Sequence, residues 1–322
     1  MEKKREITVC MDALTEAHRQ RLQDQAGRLG FTVRFVREAD AKTAGARESE
    51  ILLANGADLL SQAPKLRWFC ASFAGVEHVL RCPDLRPDVL VSNSSGAYGT
   101  AIAEHIVMVT LMMLRRMPAY EEIVRGRAWI RNLPVRSLLG ARILILGTGD
   151  IGHETAVRMR SFSPASIVGI NRTGRADDTA FDVMLPLSEL DRCLPETDIL
   201  ILCLPGTAAT TRLIDERRLR LLSEAAYLVN VGRGATLDQA ALVQALTAGR
   251  LAGAALDVFE TEPVRADDPL WTCPNLLMTP HCSGNVSLAY TVDRIVELFL
   301  EDLQKYASGR PLERLVDRSQ GY

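Results

Sequence analysis

Lysine is scarce in this 322-residue chain. It occurs only at Lys3, Lys4, Lys42, Lys65 and Lys305, and arginine supplies the rest of the 38 basic residues. Against 40 acidic residues the formal net charge is −2, so the chain has neither the basic footprint that nucleic acid requires nor an acidic tail. The seven cysteines (Cys10, Cys70, Cys82, Cys193, Cys203, Cys273, Cys282) are odd in number and form no CxxC pair, and some lie inside apolar runs such as ILILCLP. That pattern argues against a disulfide frame or a zinc site and predicts reduced thiols, no bound metal and a cytoplasmic location. No apolar run is long enough to cross a bilayer, because the longest, 102–114, is interrupted by Glu104 and His105. The N-terminal segment MEKKRE leads into a short apolar stretch without a signal-peptide core. Internal repeats and low-complexity segments are also missing. What remains is ordinary for a globular protein: 47% apolar and 24% charged residues, with length for two domains at roughly 150 residues each.

Short β-branched runs alternate with helix-period segments. ITVCM (7–11), TVRFV (32–36), ILLA (51–54), RWFCA (67–71) and VLVSN (89–93) read as strands, with a helix between the first two ending near Leu29. A long helix is expected from 99 to 116, with Ile102, Ile106, Val109 and Met113 on one face and Pro118 marking its end. A second series begins with RILILG (142–147), a continuous apolar run as expected of a strand buried on both faces. SIVGIN (166–171), DILILCLP (198–205), AAYLVNVG (225–232) and AGAALDVF (252–259) follow, with helices between them and a closing helix over 286–306. Two such series predict an α/β protein with two doubly wound parallel sheets.

The first chemical motif is Gly147-Thr148-Gly149-Asp150-Ile151-Gly152, placed between a strand and a helix. Gly147 permits the tight turn, Gly149 lets backbone approach a pyrophosphate, and Gly152 allows close helix–strand packing, while the helix N-terminus offers N–H groups to the anion. At the end of the next strand, where NAD enzymes carry a carboxylate for the ribose 2′-hydroxyl, this chain has Asn171-Arg172-Thr173. Arg172 can pair with a 2′-phosphate and Thr173 can donate to it, so NADP is expected over NAD.

Three further segments end strands: VNVGRG, with Arg233 between two glycines; LDVFETEP, with Glu262; and TPHCSG, with His281. Strand ends are where open α/β sheets bind ligands. In order and spacing, Gly147–Gly152, Asn230-Val231-Gly232-Arg233-Gly234, Leu256-Asp257-Val258-Phe259-Glu260 and Pro280-His281 resemble the D-isomer-specific 2-hydroxyacid dehydrogenases, a family that includes glyoxylate/hydroxypyruvate reductases and D-lactate, phosphoglycerate and formate dehydrogenases.

The resemblance implies a Rossmann cofactor domain, residues 99–286, inserted into a flavodoxin-like substrate domain, residues 1–98 and 287–322. It implies hydride transfer between a nicotinamide and a small 2-keto or 2-hydroxy acid. A guanidinium fork such as that of Arg233 suits the substrate carboxylate. His281, of a residue type that titrates near neutral pH, suits proton transfer, and Glu262 holds the imidazole. Cys203, Leu204, Pro205, Thr210, Val231, Gly232, Asp257, Ser283 and Gly284 are implied to border the cofactor, together with Arg233 and His281. Phe73, Ala74, Gly75 and Val76 match the substrate loop, although the family's Gly-x-Asp is Gly75-Val76-Glu77 here. Tyr98 is either a substrate contact or a packed core aromatic. His18, His78, His105 and His153 match no catalytic motif and read as structural or surface residues. The Met- and Leu-rich 111–117 segment is expected at a homodimer interface. Two other readings of the same motifs are phosphoglycerate dehydrogenase activity and a catalytically idle NAD(H)-sensing binding module.

Overall fold

Both βα series close into parallel sheets, because each apolar run is flanked by a segment whose helical face can cover it. The structure, a computed structural model, describes residues 5–175, 178–318 and 320–321. The chain divides into two units, Met1–Tyr98 with Asn285–Tyr322, and Gly99–Gly284.

The first unit holds strands β1 (Arg5–Cys10), β2 (Phe31–Val36), β3 (Ser49–Ala54), β4 (Trp68–Ala71) and β5 (Leu90–Ser92), all parallel in the order β2-β1-β3-β4-β5. This is the flavodoxin-like order. The helix Glu16–Arg28 starts at a capping box in which the Thr15 side chain accepts from the His18 N–H and the His18 ring accepts from the Thr15 N–H. The other ring nitrogen of His18 lies 2.7 Å from Asp293 on the closing helix, Ala289–Ala307. That helix also contributes Phe299, stacked on the fully buried Trp68 with ring centroids 5.3 Å apart. The C-terminal segment is therefore part of this unit's core.

The second unit holds β6 (Arg142–Leu146), β7 (Ser166–Asn171), β8 (Val183–Pro186), β9 (Ile199–Leu202), β10 (Tyr227–Asn230), β11 (Gly253–Leu256) and β12 (Leu276–Met278), parallel in the order β12-β11-β10-β9-β6-β7-β8. Strand order reverses between β6 and β9. Leu144, Leu146, Leu200, Leu202, Leu228 and Leu256 are all buried in one cluster there, as the uninterrupted apolar runs predicted. The architecture is the expected α/β one.

Two local expectations fail. Strand β8 was not anticipated, being four residues of half-exposed edge that end at a proline and show little alternation. The long helix stops at Leu114, and Pro118 does not end it. Arg116 takes a left-handed conformation, φ 57°, and Pro118 lies in the first turn of a separate helix, Met117–Arg125, where its missing N–H costs nothing. Among the described residues no helix is long and apolar enough to cross a membrane.

Candidate active site

β6 ends in the crevice where strand order reverses, the usual ligand site of a doubly wound sheet. Gly147 has φ 93°, and a Cβ on it would stand 2.6 Å from the Cys203 carbonyl oxygen. A Cβ on Gly152 would stand 2.1 Å from the Gly147 carbonyl oxygen. Only glycine lets the loop pack against the end of β9 and the helix Asp150–Arg160 begin against its own strand. At Gly149, the N-cap of that helix, a Cβ would meet open space, and glycine has no side chain to cap the first turn. A glycine N-cap beside open space fits a pyrophosphate. Ile151 lies in the same turn. The Asp150 side chain turns elsewhere. Its carboxylate accepts the Gly99 N–H at 2.8 Å, at the start of the helix Gly99–Leu114.

Asn171 closes β7. Its Oδ1 accepts from the N–H groups of Thr173 (3.0 Å) and Gly174 (2.7 Å), and its Nδ2 donates to Thr148 Oγ1 at 3.1 Å. The turn is thereby tied to the glycine loop, while Arg172 and Thr173 are exposed. Past β9, Thr210 Oγ1 donates to the Pro205 carbonyl (2.6 Å) and accepts from the Thr207 N–H (2.9 Å), fixing the turn that carries Cys203, Leu204 and Pro205. Burial pushes the Cys203 thiol up to about 12, so it is no nucleophile at neutral pH.

Past β10, the fully buried Asn230 holds the Val231–Gly234 turn. Its Oδ1 accepts the Gly232 N–H at 3.1 Å and its Nδ2 donates to the Arg233 carbonyl at 3.1 Å, which Thr236 Oγ1 also reaches at 2.7 Å. Arg233 Nη1 donates to the Gly232 carbonyl at 2.8 Å. A Cβ on Gly234 would fall 1.9 Å from the Phe259 carbonyl carbon, so the ends of β10 and β11 can approach only with glycine there.

Glu262 and His281 come together from the ends of β11 and β12. Glu262 Oε2 is 2.7 Å from His281 Nδ1, and Oε1 accepts the Phe259 N–H at 2.9 Å. The His281 side chain is about half exposed (49%), and its backbone is left-handed at φ 49°. Asp257 is buried. Its Oδ1 accepts from Thr279 Oγ1 (2.6 Å) and the Cys282 N–H (3.0 Å), and its Oδ2 accepts from the Ser283 N–H (3.0 Å). Its carboxylate thus holds the loop that bears His281, Ser283 and Gly284. Burial and the neighbouring Asp257 push the Cys282 thiol up.

In the first unit, the Phe73–Val76 turn has its carbonyls tied back. Tyr98 Oη donates to Ser72 O at 2.7 Å, Asn93 Nδ2 to Ala74 O at 2.8 Å, and the Ser94 N–H to Phe73 O at 3.2 Å. Among the described residues no protein group accepts from the N–H groups of Phe73, Ala74, Gly75 or Val76. Such a run of undonated N–H groups suits a carboxylate. Tyr98 itself is buried and stacked on Phe73, with centroids 5.6 Å apart.

The sequence assigns no role to Asn93 or Thr279, and names Asn230 only as part of the family motif. Each is a polar residue at or just past a strand end, a recognisable signal, but its partners come from other turns and cannot be read from spacing.

The family model for the D-isomer specific 2-hydroxyacid dehydrogenase, NAD binding domain, matches residues 107–283. The chain is 32% identical over 267 residues to a glyoxylate reductase of Thermofilum pendens, covering 81% of this chain and 78% of that one. A crystal structure of a D-isomer specific 2-hydroxyacid dehydrogenase family protein from Aeromonas salmonicida is 34% identical, with a TM-score of 0.85 over 98% of this chain and 99% of that one. An NADPH-dependent glyoxylate/hydroxypyruvate reductase from Sinorhizobium meliloti, solved with NADP and sulfate, is 27% identical, with a TM-score of 0.82 over 99% and 100%.

Proposed function

The chain belongs to the D-isomer-specific 2-hydroxyacid dehydrogenase family, and is thus an oxidoreductase that takes NAD(P); from that premise we propose that it reduces small 2-keto acids of the glyoxylate and hydroxypyruvate class, with NADPH preferred. The observation that carries this reading is the Glu262–His281 pair. With Nδ1 donating to Glu262 Oε2 at 2.7 Å, Nε2 is the ring atom left to exchange a proton. The other oxygen of Glu262 accepts the Phe259 N–H, which favours this orientation of the carboxylate. In reduction, His281 Nε2 gives its proton to the substrate oxygen; in oxidation it takes that proton back. Arg233 binds the substrate carboxylate and polarises the neighbouring carbonyl. When bound, the nicotinamide supplies the hydride. Gly147, Gly149, Asp150, Ile151 and Gly152 would hold the pyrophosphate, and Asn171, Cys203, Leu204, Pro205, Thr210, Val231, Gly232, Asp257, Ser283 and Gly284 would border the cofactor. NADPH preference rests on Arg172 and Thr173, exposed past β7 with no acidic residue across 171–175, and draws support from the NADPH-dependent relative of S. meliloti.

The deciding experiment is steady-state turnover of a panel of 2-keto acids with each cofactor, run beside His281→Ala. Glyoxylate or hydroxypyruvate should be turned over with higher kcat/KM for NADPH, and His281→Ala should lose about 10²–10⁴-fold in kcat while still binding cofactor. No turnover of any 2-keto acid would favour a binding module instead.

The same reading extends to a cytoplasmic homodimer. It is supported by the seven unpaired thiols and by apolar surface on Met108, Leu111, Met112, Met117 and Tyr120, with Trp129 88% exposed nearby in sequence. A sedimentation mass of one chain would refute the dimer.

A further inference from the structure

His105 carries no catalytic motif, yet it lies at the end of a hydrogen-bonded chain that leads to the His281 loop. Its Nε2 is 3.2 Å from Thr279 Oγ1. Thr279 Oγ1 donates its one hydrogen to Asp257 Oδ1 at 2.6 Å. The hydroxyl can then only accept from His105, which fixes the imidazole as a donor at Nε2. Burial pushes the His105 imidazole below its ordinary value, against the opposing pull of Asp257. A neutral ring with its hydrogen on Nε2 satisfies both demands.

Asp257, with 1% of its surface exposed, also accepts from the N–H groups of Cys282 and Ser283, each at 3.0 Å. Those two residues follow His281 directly, and His281 sits at φ 49°. A left-handed conformation is unfavourable for a non-glycine residue and persists only where surrounding bonds over-determine it. The Asp257 carboxylate supplies those bonds on the C-terminal side, Thr279 orients the carboxylate, and His105 orients Thr279.

We propose that His105 is a positioning residue for the proton-transferring loop, acting through Thr279 and Asp257 to hold His281 at Glu262. The inference rests on the proton-transfer role assigned above to His281. It assigns the helix Gly99–Leu114 a part in the reaction beyond packing.

The test compares His105→Leu, His105→Gln, Thr279→Val and the Leu/Val double variant with the intact enzyme, and with His281→Ala. His105→Leu and Thr279→Val should each lower kcat about tenfold, since small misplacement of a reacting group is costly. KM for the 2-keto acid should change less than about twofold, as expected when an interaction of the transition state alone is lost. The double variant should be no worse than either single, because both cut the same chain. His105→Gln, whose amide N–H can take the place of Nε2–H, should recover most of the rate. Amide exchange over 279–284 should quicken in His105→Leu and not in His105→Gln. Additive losses in the double variant, unchanged exchange, or a full rate in His105→Leu beside an inactive His281→Ala would overturn the proposal and leave the reaction assignment standing. A fully active His281→Ala would overturn both.

Discussion

Asn171 ends β7 with its Oδ1 taken by the N–H groups of Thr173 and Gly174, so the turn that follows is fixed while the Arg172 and Thr173 side chains stay exposed. At a site of this kind, a hydrogen bond to a charged group is worth about 1.5–3 kcal/mol. Arg172→Ala should therefore lower the NADPH-to-NADH ratio of kcat/KM by about tenfold or more, chiefly through KM for NADPH. An unchanged ratio would show that Arg172 does not read the 2′-phosphate. Asn171 is visible in the sequence as a polar residue at a strand end, but its work as a turn clamp is not, because a side chain's choice between ligand and backbone depends on which N–H groups the turn presents. The same holds for Arg233. Its place between two glycines is legible, whereas the need for Gly234, with Phe259 packed against it, emerges only once β10 and β11 lie side by side.

At the scale of elements, the helix Gly99–Leu114 follows from its spacing. Ile102, Ile106, Val109 and Met113, the predicted inner face, are all buried. Its start does not follow from spacing, since the carboxylate at its first N–H belongs to Asp150, 51 residues on. Asp150 sits in the glycine motif, where a cofactor contact is expected, and its side chain also ties that helix start to the start of Gly99–Leu114. Asp150→Ala should cost about 1 kcal/mol of stability, the usual worth of a cap, and Asp150→Asn should cost less because it keeps an acceptor oxygen. Urea denaturation of the three proteins checks this, and equal midpoints would remove the capping role. Helix ends and β8 were the least legible elements for a common reason. They depend on single hydrogen bonds and edge pairing, not on the burial that sets hydrophobic period.

At the scale of the whole chain, residues far apart in sequence close the first unit. Arg5 in β1 is bound to Glu50 in β3 at 2.7 Å, and Tyr306 Oη on the closing helix donates to the same carboxylate at 2.9 Å. The Arg5 hydrogen bond, reinforced by Tyr306, holds the Glu50 carboxyl below its ordinary value despite its burial. A carboxyl lowered on folding adds stability above its unfolded value, near 4.5. That contribution is lost as pH falls through the lower folded value. Glu50→Gln should therefore be less stable than the intact chain at pH 7, with the gap narrowing steadily below pH ~4.5. Thermal melts across that range measure it, and a gap independent of pH would mean that the ionised form of Glu50 contributes nothing.

The sequence alone determined the α/β class, most of the alternation of strands and helices and the dinucleotide turn, and it singled out Arg233, Glu262 and His281 as candidates. These are written in local signals: apolar period, glycine placement and residue type at strand ends. Tertiary structure decided what each polar group touches. It set Glu262 against His281 Nδ1, gave Asp257 to the loop that carries His281, turned Asp150 to the start of another helix, and linked His105 to that loop through Thr279. The physical reason is that burial acts through pattern and tolerates many neighbours, whereas a hydrogen bond needs one partner within about 3 Å. Only the folded chain brings residues 105, 257 and 279 that close.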